Sequence, residues 1–149
     1  MGGAEEPAWA DPEPEVHRAL ARWAAECAER ALPAFEERDP DNARPWRALD
    51  VLLAWGRGEA PMTECRAAAF TAHAAARAAT QAGEPAATAA ARAAGQAAAV
   101  AHMVDHCSHA AVESSAQPRA FTRRSAQRIV ALTESARCAD ALPAIFSRR

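Results

Sequence analysis

Residues 91–111, ARAAGQAAAVAHMVDHCSHAA, decide the fold class of this chain. Alanine has the strongest helix propensity of any residue and adds little volume, so such a run reads as a helix that others approach closely. Within it stand His102, His106 and His109, spaced i, i+4 and i+7. On a continuous helix these three share an arc of roughly 60°. Gly95 falls on the same stripe upstream, where a missing side chain leaves room. Titratable rings in an alanine field are either the purpose of the helix or its wet outer face.

The same texture extends through the chain. Half of the 149 residues are apolar while aromatics make up only 5%, and no window alternates β-branched or aromatic residues with polar ones. The expectation is an all-α, compact antiparallel bundle of about five to six helices. Residues 1–14, rich in Gly, Pro and acid, read as a flexible acidic arm, and residues 15–149 as a single helical-bundle domain. Helices are expected over 15–32, 45–57, from Pro61 or Thr63 to near Gly83, and from Pro85 to about Val112. Pro33 breaks the first, with a short turn over 34–38, and Asp41 or Asn42 can cap the second. Gly58 and Gly83 are stop signals. Leu20, Trp23, Cys27 and Ala31 are the core side of the first helix, and Trp46, Leu49, Leu52, Leu53 and Trp55 that of the second. A further helix over 121–137 and a last turn carrying Leu142, Ile145 and Phe146 complete the expectation.

A net charge of −2 gives no electrostatic case for nucleic acid or an anionic membrane. The charge is unevenly spread. Glu5, Glu6, Asp11, Glu13 and Glu15 occur in the first fifteen residues without a base, while residues 119–149 hold seven arginines against Glu134 and Asp140. All basic residues are arginine, which with the alanine load fits the coding bias of a GC-rich bacterial genome. Cys27, Cys65, Cys107 and Cys138 form no CxxC pair, no secretory signal opens the chain, and no apolar run approaches a membrane span. A cytoplasmic protein with reduced thiols is expected.

Three features carry chemistry. Arg66, Phe70, His73 and Arg77 recur at i, i+4, i+7 and i+11, one ridge suited to a carboxylate or phosphate. The two arginines beside His73 favour its neutral form. His102 and His106 have the spacing at which two imidazoles meet one zinc ion, with His109, Asp105 and Cys107 nearby. There is no HExxH and no second ligand pair, so no metal cofactor is expected. Acid–base chemistry by His73, His102 or His106 is the alternative use of those rings, and hydrogen bonding across the bundle is the bland one. Gln96 reads as a buried polar clasp. In the third feature, Arg44 and Arg47 flank Pro45 just after Asp39 and Asp41, a pattern that fits a clamp on the turn. Neither a GxSxG elbow nor a glycine-rich phosphate loop occurs.

Four segments, HRALARWAAECAERALPAFEE (17–37), DNARPWRAL (41–49), RAAAFTAHAAARAA (66–79) and ARAAGQAAAVAHMVDH (91–106), together resemble the Imm-5-like immunity protein family of small bacterial helical proteins. The resemblance covers residues 15–112 and implies an all-α fold. It makes Trp23, Arg44, Arg47, His73, Arg77, Gln96, His102 and His106 the positions carrying the family pattern. Residues 113–149 form a divergent, arginine-rich C-terminal region. Two functions follow as expectations. One is an immunity-type binder that neutralises a partner toxin through the bundle surface, with the acidic arm or the C-terminal arginines as the contact. The other is a protein that binds or transforms a small acidic metabolite in an inter-helix pocket lined by His and Arg. A homodimer packed through alanine faces is a third option.

Overall fold

The computed structural model describes residues 13–115. The expectations for residues 1–12, for the helix over 121–137, for the final turn and for Cys138 lie outside it. The described residues are all-helical: α1 (Pro14–Ala31), α2 (Pro33–Glu36), α3 (Arg44–Gly56), α4 (Met62–Gln81), α5 (Pro85–Ala99) and α6 (His106–Ser115). No described helix is long and apolar enough to cross a membrane.

Local chemistry sets most of the boundaries. Proline occupies the first turn of α1, α2, α3 and α5, where its missing N–H would have no intrahelical partner anyway. Gly58 and Gly83, at φ +76° and +73°, end α3 and α4 in the left-handed conformation that glycine adopts without penalty. The residue after each glycine then bonds back five residues, Glu59 N–H to the Ala54 carbonyl and Glu84 N–H to that of Ala79, the Schellman closure. Asn42 organises the α2–α3 connection. Its amide donates to Asp39 at 2.8 Å, and its oxygen accepts from the backbone N–H and Nε of Arg44. The clamp on this turn is therefore centred on Asn42, with Asp39 and Arg44 as its two partners.

α5 is the axis of the bundle, packing against all five other helices. Its sequence explains why: all but four of its residues are buried alanine, glycine or Thr88, so it has almost no polar face to turn to water. The larger side chains that fill the core come from outside it. Trp23, Leu32, Phe35 and Leu52 are the largest fully buried ones, and the expected core positions Leu20, Trp23, Cys27, Ala31, Leu49 and Leu52 are all buried. Trp46, Leu53 and Trp55 pack on the core's edge.

The long helix expected over 85–112 is broken. α5 ends at Ala99, residues 100–105 form successive turns, and α6 begins at His106. Through the break most backbone bonds reach back three residues, as from His102 to Ala99, His106 to Met103 and Cys107 to Val104. Val100, Ala101, Val104 and Cys107 stay buried through it. No proline or glycine marks this site; a tertiary contact does. The His17 ring, from the first turn of α1, hydrogen-bonds through Nε2 to the Val100 carbonyl, one of the carbonyls that the end of α5 leaves without a helical partner. Trp55 of α3 holds that ring edge-on, with centroids 4.9 Å apart. Asp105 then lies just before α6, where a negative charge suits the helix dipole.

Candidate functional site

The antiparallel α4–α5 pair sets the site. Near the connecting loop, Thr80 and Thr88 hydroxyls lie 3.2 Å apart, each also bonded to the carbonyl four residues back, of Ala76 in α4 and of Glu84 at the start of α5. Seven residues further along each helix, His73 faces Gly95. Glycine inside a helix costs about 1 kcal/mol relative to alanine, and here the ring of His73 occupies the space. A Cβ on Gly95 would stand 2.6 Å from Cε1, 2.7 Å from Nε2 and 2.8 Å from Nδ1 of that ring. Gly95 thus serves His73 on α4, and the stripe it was expected to share with the later histidines does not exist as one helix face.

Those histidines still form a row. His102 lies in the break and His106 and His109 on α6, with ring centroids 5.2 Å and 5.8 Å apart in succession. Gln96, the half-buried polar residue of α5, reaches His106, its Oε1 accepting from the Nδ1–H at 2.6 Å. This bond holds the neutral ring in one tautomer and ties α5 to the start of α6.

Burial and neighbouring cations favour the neutral rings. Burial first, then Arg77 and Arg92, hold His73 below the ordinary histidine range. His102 is lowered by burial and by Arg66, and His106 by burial and by His102, His109 and His73, with Asp105 opposing. The ridge on α4 therefore divides: Arg77 acts at His73, whereas Arg66 acts at His102. Arg92 is the group sequence reasoning missed. It is an exposed arginine on the otherwise alanine-lined α5, and only the α4–α5 register brings it beside His73.

The other singled-out residues lie elsewhere. Trp23 is in the core, and Arg44 and Arg47 are exposed at the start of α3. Burial pushes the thiols of Cys27 and Cys107 up to about 12 and that of Cys65 to about 11, so thiolate chemistry is suppressed at all three. Among the described residues no group of three or more His, Cys, Asp or Glu is arranged to hold a metal ion. Phe70, next to His73 in the α4 ridge, is 68% exposed, and Met103 beside His102 is 51% exposed.

Two predictions arise here. Gly95→Ala is expected to lower stability by about 1–2 kcal/mol, because the overpacking cost exceeds the propensity gain. In a His73→Ala background the same change is expected to stabilise by about 0.5–1 kcal/mol. Urea unfolding of the four proteins reads the sign reversal; equal effects in both backgrounds would show that the ring does not seat on Gly95. The second concerns pH. Rings with folded pKa values below the unfolded one leave the unfolded chain binding more protons in between. Stability is then full above about pH 6.5 and falls as pH drops through the folded values. The urea midpoint should decline between pH 7.5 and 5.5, and a His73, His102, His106→Gln triple variant should flatten that decline.

No curated protein and no solved structure matches the chain. Residues 11–117, more than two thirds of it, match the family described as Imm-5 like putative immunity protein. They span the whole described bundle, including the α4–α5 seam, the break and α6, and on that match the chain belongs to the Imm-5-like immunity protein family.

Proposed function

We propose that the protein is an immunity-type binder that neutralises a partner toxin through the surface of its helical bundle. Family membership over residues 11–117 carries the reading. The contact is the Arg66–Phe70 part of the α4 ridge and the neighbouring break, where Phe70 and Met103 present apolar surface beside Arg66 and His102. A partly apolar patch ringed by charge is the usual composition of a protein interface, and an exposed aromatic is the kind of side chain that dominates its energy.

The test is co-expression with each candidate toxin encoded near its gene, scored by growth rescue and by native mass spectrometry of the purified pair. Rescue with a stable complex is expected. Phe70→Glu should weaken binding by about 30-fold or more, the loss typical of a hot spot, while Arg57→Gln, in the α3–α4 connection and paired with Glu59, should leave it unchanged. Absence of both rescue and complex, with the chain folded and abundant, would overturn the reading.

A further inference from the structure

Arg77 and Arg92 project from neighbouring helices at the same level of the α4–α5 seam. The register that sets Thr80 against Thr88 and His73 against Gly95 puts position 77 level with 91, within one residue of Arg92, and both guanidinium groups act on the His73 ring. Two guanidinium groups beside one imidazole repel each other unless a negative charge lies among them. Among the described residues no carboxylate acts on the His73 ring. Between Arg66 and Met103 the only acidic residue is Glu84, and it is paired with Arg38 at 3.2 Å. Among the described residues neither Arg77 nor Arg92 forms an ion pair, and His73 makes no hydrogen bond.

The floor under this group is built for close approach. Gly95 lets the His73 ring lie against the α5 backbone, and Ala91, Ala94 and Ala98 around it are buried. The ring is thus half-buried. Two planar five-donor forks and one imidazole N–H offer more donors than a single carboxylate can accept, and their charge is matched by a dianion.

We infer that His73, Arg77 and Arg92 form a binding site for a doubly charged oxyanion of the phosphate type. The guanidinium groups clamp its oxygens from α4 and α5, and the imidazole of His73 donates the third contact. This site stands independently of toxin neutralisation, which is assigned to the Phe70–Met103 surface. The same phosphate chemistry can arrive as free phosphate or as a phosphate ester on another chain.

The test follows the histidine ring resonances of the full chain by NMR during titration with inorganic phosphate, against sodium chloride at matched ionic strength. His73→Gln assigns the His73 signals. A saturable shift of His73 with phosphate but not chloride is expected, with half-saturation raised at least tenfold in Arg77→Gln and in Arg92→Gln. Arg57→Gln should leave it unchanged, and circular dichroism confirms that each variant is folded. A parallel titration with a phosphoserine tripeptide separates the carriers. Response to inorganic phosphate alone supports a free oxyanion, and response to both supports an esterified group as well. No saturation with either probe, an equal response to chloride, or indifference to both arginine substitutions would overturn the site. Because the readout needs no toxin, its failure is distinguishable from failure of the immunity reading.

Discussion

Trp23→Ala is expected to destabilise the protein by about 3–5 kcal/mol, the upper range for a buried large-to-small change. Trp23 is 1% exposed and heads the fully buried large side chains, in a core where most neighbours are alanine. That environment raises the cost. A cavity is relieved when surrounding side chains swing into it, and alanine has no rotamer with which to do so. α1, which carries Trp23, packs on α3, α5 and α6, so the loss is shared by several contacts at once. Urea unfolding followed by far-ultraviolet circular dichroism measures the effect. A loss under about 2 kcal/mol would mean that the helices collapse onto the vacated space.

The opposite substitution tests the same packing from within. Ala94→Leu places three more carbons on a residue of α5 that is 0% exposed. α5 packs against every other described helix, so it has little room in which to move. Overpacking costs about 1–3 kcal/mol and occasionally more, and here the larger values are expected. Ala78→Leu, on the exposed side of α4, supplies the control and should fall within about 0.5 kcal/mol of the parent. Similar effects at both positions would show that alanine on α5 is not the spacer between helices.

Proline, glycine and period made most of the boundaries of the first five helices readable, the end of α5 excepted. Pro14, Pro33, Pro45 and Pro85 each sit in a first helical turn, Gly58 and Gly83 each follow a last one, and Leu20, Trp23, Cys27 and Ala31 share a buried face. These are local effects, felt within a turn or two of the residue that causes them. The break after Ala99 was not readable in that way, because the stretch is alanine and valine with no breaker. Asp105, a cap-type residue just before His106, was the one local signal, and alanine propensity outweighed it.

The site divides along the same line. Pairing of His73 with Arg77 is a one-turn relation within α4, and the sequence contains it. Gln96 was read as a clasp, and its bond to His106 is of that kind. His17 lies 83 residues from Val100 in sequence, yet its ring supports the turn there.

By itself the sequence determined an all-α bundle, its proline starts and glycine stops, an alanine-built axis and the family to which these segments belong; the N-cap of α3 is Ala43 and not the Asp41 or Asn42 expected. Propensity, capping and helical period act over a few residues, so one chain is enough to read them. Only the tertiary structure decided that His73 seats on Gly95, that Arg92 joins Arg77, and that the histidine row bends between two helices. Each of those depends on how α4 and α5 slide past one another and on where α1 meets the end of α5. Such registers are set by the sum of many weak, shape-dependent contacts between alanine faces, and nearly uniform faces write no register into the sequence.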